Sequence, residues 1–409
     1  MRIAFISQYF FPESFSNNEI TKDLVKRSHD VDVITCVPNY PEGVFFPGYS
    51  NSSRRSEEWH GVMVHRARTV ARGKSSISLL TNYIVFVIFG TWQARKLARS
   101  QCPDVSFVSM PSPLTQALVG VYLKKFHAVP LVYWVQDIWP ESATHTLGLK
   151  HPFIVRPLTA LCGWLYRQAD LIMTQSAAFQ PMIARFGAPD EKIEIFPNTA
   201  PDTFARIPQD DIEDAARLDI PDGLRVMFAG NIGESQDFDT LIDTATLLKK
   251  SGQVVQWIIV GSGRDMARVQ QRIQDEELTE SFHFLGRFPE AKMPELFAQA
   301  DALLVSLRRS DIFALTVPYK IQSYMACGKP ILASLDGEGA RIVTQANAGL
   351  AVPAQSPALF YDAICAFFAL SDEERHAFGD NGLAYFQKHY SAKVLYDRLE
   401  KALTRVSKR

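Results

Sequence analysis

DIFALTVPYKIQSYMACGKP, Asp311 to Pro330, begins just past an apolar run, ALLVSL (Ala302 to Leu307). Such a run, bounded by polar residues, has the pattern of a buried strand in a parallel sheet. A loop then reaches Pro318, a short helix is expected over Tyr319 to Ala326, and Gly328 stops it before the next strand, ILAS. Strand, loop and helix N-terminus in that order make an anion site. The first-turn N–H groups have no partner within the helix, and the positive end of the helix dipole points the same way. Lys320 falls in that first turn and adds a full charge. An ordinary βα unit with a surface lysine has the same pattern, so the segment must be weighed with the rest of the chain.

The segment resembles the donor-sugar signature of the retaining, two-domain (GT-B) glycosyltransferases of family 4, E-x-F-G-L followed by E-A-M-A-x-G-x-P. Asp311, Phe313, Ala314 and Leu315 match the first half, and Tyr324, Met325, Ala326, Gly328 and Pro330 the second. Three positions depart from it. Asp311 stands for Glu, Ala314 for Gly, and Ser323 for the second Glu, which in the family binds ribose hydroxyls. The halves also lie farther apart than usual. The T-V-P-x-K insert, Thr316 to Lys320, is similar to a subgroup that builds bacterial surface polysaccharides, the O-antigen and capsule transferases of N-acetyl-L-fucosamine. The resemblance implies an α/β GT-B fold: two Rossmann-like domains with doubly wound parallel sheets facing a cleft.

Length and composition agree with two domains. A chain of 409 residues is too long for one core and suggests domains of roughly 200 residues each. The division expected is 1–200 for an acceptor-binding domain, 201–389 for a nucleotide-sugar domain, and a terminal helix, 390–409, returning to the first. Net charge is −1, which gives no overall field for nucleic acid. The charge is unevenly placed: residues 1–200 hold 20 Lys and Arg against 15 Asp and Glu. A basic first half suits an anionic membrane or a phosphate-bearing acceptor, although chance unevenness would look the same. Five scattered cysteines with no C-x-x-C and no His/Cys spacing for zinc fit free thiols in a reducing cytosol. MRIAFISQYF reads as a strand and not a signal peptide, and no uninterrupted apolar run reaches the ~18 residues needed to span a bilayer. A cytoplasmic protein, peripheral on the inner face of the membrane, is the expectation.

In the first half, RIAFISQYF (Arg2 to Phe10), a helix over Glu19 to Ser28, and DVDVITC (Asp30 to Cys36) make a βαβ unit and hence a parallel sheet. The first turn lacks G-x-G-x-x-G, which counts against a dinucleotide cofactor. Ser16, Asn17 and Asn18 occupy it; short polar residues also form such turns. HGVMVHRARTV (His60 to Val70) alternates as one more strand. The stretch Ile77 to Ala98 is apolar nearly all round from Tyr83 to Trp92, preceded by Arg66, Arg68, Arg72 and Lys74. It fits a helix in a membrane interface with basic anchors, or a buried core helix. PLVYWVQDIWPES (Pro130 to Ser142) is a buried strand ending at Gln136 and Asp137. A carboxylate there is either functional or an N-cap. The resemblance sets Asp137 beside the reacting sugar, and Asn17, Asn18, Asn39, Tyr40 and Glu141 with the acceptor.

Thr199 to Gly223, polar and Pro-bearing, reads as an interdomain linker. LRVMFAGNIGESQDF then gives strand, turn and helix. The family places Arg at Asn231 and Lys-Gly at Gln236-Asp237 to hold the diphosphate, and both bases are missing. That shifts phosphate neutralisation onto Lys320 and Arg264, the latter at the G-S-G turn of WIIVGSGRDMARVQQ. A tight βα turn with a solvated arginine is the plain alternative. The resemblance makes Asn231, Gln236, Arg264, Arg287, Asp311, Thr316, Lys320 and Ser323 donor-binding. Asp137 and Lys320 would be catalytic, with no cofactor and no metal. It implies transfer with retention from a nucleotide sugar to a polyprenyl-diphosphate-linked saccharide. A nucleotide-sugar epimerase of the same fold and a non-catalytic nucleotide-sugar binder remain as rivals.

Overall fold

The computed structural model describes residues 1–53, 55–73, 75–142, 151–208, 211–212 and 217–408. Lys74, expected among the basic anchors, lies outside them. The chain falls into two compact units, Met1–Pro197 with Leu395–Arg409, and Asn198–Val394.

The first unit holds strands β1 (Arg2–Ile6), β2 (Asp30–Cys36), β3 (Ser56–Trp59), β4 (Val62–Ala67), β5 (Val105–Met110), β6 (Leu131–Val135), β7 (Leu171–Thr174) and β8 (Ile193–Ile195). Their order is β3-β4-β2-β1-β5-β6-β7-β8, parallel except for the β3–β4 pair. The strand expected over His60 to Val70 is the second arm of a hairpin. His60 and Gly61 take φ of 49° and 79°, the left-handed pair that a two-residue hairpin turn requires. The helix expected to begin at Glu19 runs Ser16–Lys26, so Asn17 and Asn18 sit in its first turn. Strand order reverses between β1 and β5, the place where open α/β sheets take ligands. From Leu395 the terminal helix Ala392–Ser407 belongs to this unit. Arg27 binds Asp397 at 2.6 Å and Glu400 at 2.8 Å.

The helix Ser76–Ser100 settles part of its double reading. Asn82, Tyr83, Phe86, Gly90, Gln93, Ala94 and Leu97 form a buried face, with Phe86 fully enclosed. Asn82 Nδ2 donates to Val70 O at 2.6 Å and Gln93 Nε2 to Arg66 O at 3.0 Å, tying the helix to this unit. On this face the buried-helix alternative holds, and Phe86 is packed in protein. The anchor role of Arg66 is corrected: it is 1% exposed and paired with Glu57. The opposite face is a different matter. Ile77, Leu80, Ile84, Ile88 and Trp92 are each at least half exposed and follow helical spacing. The helix has the length and hydropathy to cross a membrane by composition, yet a third of its most apolar window is buried against protein.

The second unit has β9 (Leu224–Ala229), β10 (Val255–Val260), β11 (Phe282–Gly286), β12 (Ala302–Ser306), β13 (Ile331–Ser334) and β14 (Gly349–Val352). The order is β11-β10-β9-β12-β13-β14, all parallel, with the reversal between β9 and β12. Helices Phe238–Lys250 and Pro357–Ala369 cover one face around Trp257 and Leu304. Helices Met293–Ala298, Tyr319–Ala326 and Glu338–Gln345 cover the other around Met227 and Leu303. Apolar strands covered on both sides are what a parallel sheet requires. Two local expectations are revised. Asp311–Leu315 forms a short helix instead of loop. The supposed linker packs on this unit where described: Phe204 meets Phe297, and Leu218 N donates to Gln299 Oε1 at 2.7 Å.

Candidate functional site

In the second unit a pocket of roughly 500 Å³ opens beyond the C-terminal ends of β9 and β10. Its walls include Gly230, Asn231, Ser262, Arg287, Tyr319, Lys320 and Ser323. Two glycines shape the floor. Gly261, at φ 131°, passes so close to the β9 turn that a Cβ would stand 1.9 Å from Gly230 O. Gly230, at φ 147°, has Lys320 Cε 2.9 Å from where its Cβ would be, so a side chain would displace the lysine. Backbone can approach a ligand closely at such positions.

Lys320 enters from the first turn of helix Tyr319–Ala326. Its ammonium donates to Gln236 Oε1 at 2.5 Å and lies 3.7 Å from the centre of the Phe228 ring. Among the described residues no carboxylate pairs with it. Part of the residue stays open to the pocket, but the ammonium is enclosed, and that desolvation pulls its pKa down to about 7. An anion arriving here meets a cation that has no counter-charge and a helix N-terminus behind it.

The remaining donor-side expectations divide. Arg287 lines the pocket and its Nε bonds Ser262 Oγ; Ser323 lines it and donates to Tyr319 O at 3.3 Å. Gln236 touches the pocket through Lys320. Arg264 stands elsewhere, in a charged depression with Glu234, Asp239, Asp265, Arg268 and Arg308. Thr316 closes its own turn on Phe313 O at 3.0 Å, and Asp311 is an exposed residue of its short helix. Asp237, at the family's Gly position, takes φ 49° in the left-handed region, which Asp tolerates, and accepts Thr240 Oγ1 at 2.6 Å.

In the first unit the β1/β5 reversal carries a buried polar network. Asn17 Nδ2 donates to Ser7 Oγ at 2.9 Å and Tyr9 O at 3.2 Å, while its Oδ1 accepts Ser109 Oγ at 2.6 Å. Gln136 Nε2 donates to the same Ser109 hydroxyl at 2.9 Å. Asn17 thus ties the segment beyond β1 to β5, and Ser109 carries the link on to Gln136 just past β6. Asn18 clamps its own loop, accepting Phe11 N and donating to Glu13 O. Asn39 Oδ1 accepts Arg72 N at 2.8 Å. All three asparagines hold local structure with their side chains. Glu141 pairs with Arg185 beside a depression of its own. Asp137 is half-buried at the end of β6; burial raises its pKa, and the hydrogen bond from Ser142 Oγ pulls the other way.

Sequence reasoning passed over Glu13. Buried Glu13 accepts the backbone N–H groups of Phe10, Asn39 and Tyr40, and so fixes both loops beyond β1 and β2. Its pKa is raised by burial. A lone Glu in FPESFSNN carries no motif that would announce it.

Two family models match the chain: "Glycosyl transferase 4-like domain" over residues 16–199 and "Glycosyl transferases group 1" over 223–369. A probable glycosyltransferase, WbjE of Pseudomonas aeruginosa, is 28% identical over 57% of this chain and 59% of that protein. The putative colanic acid biosynthesis glycosyl transferase WcaI of Escherichia coli K12 is 25% identical over 80% of this chain and 82% of that one. Among solved structures, sucrose-phosphate synthase of Thermosynechococcus elongatus superposes with a TM-score of 0.73 at 16% identity, over 99% of this chain and 98% of that one. HepE of Anabaena, solved with UDP and glucose, gives 0.70 at 18%, over 99% of each. At such identity the structural likeness speaks to the fold, which is GT-B.

Proposed function

We propose, from the premise that the chain belongs to the two-domain GT-B glycosyltransferases of family 4, that it moves a sugar with retention from a nucleotide sugar to a lipid-linked saccharide during bacterial surface-polysaccharide assembly. The observation that carries this is the uncompensated Lys320 ammonium, delivered to Gln236 in a glycine-floored pocket at a helix N-terminus. Charge grows on the departing diphosphate, and a positioned cation with aligned N–H groups stabilises it more than the ground state. The diphosphate itself takes the acceptor proton on the face from which it leaves, so neither metal nor protein nucleophile is called for. Asp137 accepts a hydrogen bond from the incoming hydroxyl. UDP is supported as the nucleotide by HepE, whose structures hold UDP and UDP-glucose. The T-V-P-x-K insert, Thr316 to Lys320, favours N-acetyl-L-fucosamine as the sugar.

The acceptor is expected at the inner face of the cell membrane, and the exposed Ile77–Trp92 stripe supports peripheral contact there. Incubation with a panel of nucleotide sugars and a polyprenyl-diphosphate sugar tests the proposal. Transfer with retained configuration supports it. An epimerised donor, or donor binding with no product from any acceptor, refutes it.

A further inference from the structure

Arg66 and Arg72 lie six residues apart beside the loops that follow β1 and β2, yet their surroundings differ. Arg66 is neutralised by Glu57. Arg72, half-buried, has no acidic partner among the described residues: its Nη1 donates to Tyr9 Oη at 2.9 Å, and its guanidinium lies 5.2 Å from the Tyr40 ring centre. A guanidinium carries five N–H donors, so most of them have no partner among the described residues. The frame is rigid. Tyr9, Phe15 and Tyr40 pack mutually with ring centres 5.1 to 5.4 Å apart. Arg72 N is held by Asn39, and Glu13 holds the backbone of Asn39 and Tyr40. An arginine left without a counter-charge in a preorganised frame costs stability unless an anion completes it, and its planar fork suits phosphate oxygens.

Its position names the anion. Arg72 lies just ahead of helix Ser76–Ser100, whose Asn82 bonds Val70 O, and whose exposed apolar stripe starts at Ile77. Tyr83, on the same helix, has its pKa raised by burial first; the charge of Arg72 pulls it down and that of Asp137 adds to the rise, so both groups act on one phenol. Basic fork, apolar stripe and reacting-end carboxylate meet the three chemical parts of one molecule. Resting on the lipid-linked reading above, we infer that Arg72, framed by Tyr9, Phe15 and Tyr40, receives the diphosphate of a prenyl-linked acceptor.

The test is equilibrium binding of farnesyl diphosphate, a short prenyl diphosphate, to the full chain. Wild type should bind it, with no competition from saturating UDP. Arg72→Gln should weaken binding at least ~tenfold, the scale of a charge-assisted hydrogen bond, and leave UDP affinity and Tm in place. Arg68→Gln, an exposed neighbour, should change it less than about twofold. If Arg72→Gln lowers Tm, Arg72→Lys keeps the charge without the fork and should still bind more weakly than wild type. Unchanged affinity in both variants, no binding by wild type, or displacement by UDP overturns the inference. Farnesyl diphosphate binding through Arg72 with no transfer to any acceptor would instead sink the transferase reading and leave this anion site standing.

Discussion

Lys320 Nζ, carried by the first turn of helix Tyr319–Ala326, reaches Gln236 Oε1 at 2.5 Å, so an ammonium stands beside the position at which the family resemblance implies a lysine. The missing base at 236 is replaced in space and not in sequence. Gly230 is what lets the side chain through.

Removing that charge should remove catalysis. Lys320→Ala is expected to lower turnover by ~10²-fold or more, the scale of losing one charge-stabilising donor. The exchanged pair Gln236→Lys with Lys320→Gln should recover most of the loss, because the ammonium returns to the same place. Single-turnover rates decide it: a Lys320→Ala enzyme near wild-type speed discards the assignment.

A pKa of about 7 gives this lysine a pH signature. Between about 7 and 10.5 the unfolded chain holds a proton that the folded chain lacks, so Lys320 makes stability rise with pH across that window. Donor binding has the opposite sign. The diphosphate prefers the charged lysine, so affinity for UDP-glucose, used as a probe, should fall as pH climbs above 7. Calorimetry in buffers of different ionisation heat should show proton uptake on binding at pH 8. Lys320→Gln should bind more weakly and without that dependence; a wild-type affinity flat from pH 6 to 9 would contradict the charge assignment.

The two sheets and the Lys320 helix were legible because apolar runs, turn residues and the Tyr319–Ala326 stop signal are local properties of sequence. The partners of Asn17 and Glu13 were not. Asn17 reads as a polar turn residue, and only the juxtaposition of β1 with β5, 92 residues away, supplies Ser109. The surroundings of Arg264 were hidden for the same reason: its helix start is visible, but the acidic neighbours Asp239 and Asp265 that gather around it, outside the Lys320 pocket, come from the fold. The Ser76–Ser100 helix was ambiguous because its average hydropathy hides two apolar faces, one packed and one open.

Asn17→Ala separates structural from acceptor-binding roles. It leaves Ser7 Oγ and one bond of Ser109 unmatched in a buried site, at a cost of roughly 1–3 kcal/mol. Urea unfolding should show that loss, while the acceptor KM of the folded fraction stays near wild type. An unchanged midpoint with a raised acceptor KM would restore Asn17 to the acceptor site.

Metal removal should be silent. Among the described residues no three His, Cys, Asp or Glu side chains cluster with metal-binding geometry, and the diphosphate is assigned to Lys320 and N–H groups. Activity should survive dialysis against EDTA. Loss of rate restored by magnesium or manganese would overturn this account of charge stabilisation.

The two faces of helix Ser76–Ser100 make separate predictions. Phe86 is fully buried, so Phe86→Ser should cost several kcal/mol through lost packing and a buried hydroxyl. Ile84, Ile88 and Trp92 are each at least 50% exposed, so changing them to Ser should leave the melting temperature close to wild type. Their contribution should appear on anionic vesicles. Arg95, Lys96 and Arg99 are exposed on the same helix, and each base near an anionic surface adds ~1 kcal/mol that salt screens. Sedimentation with phosphatidylserine vesicles should therefore weaken as salt rises without vanishing, since the apolar stripe is indifferent to salt. The triple Ser variant should lose the salt-resistant part. If wild type fails to bind vesicles at low salt, the stripe faces something other than lipid.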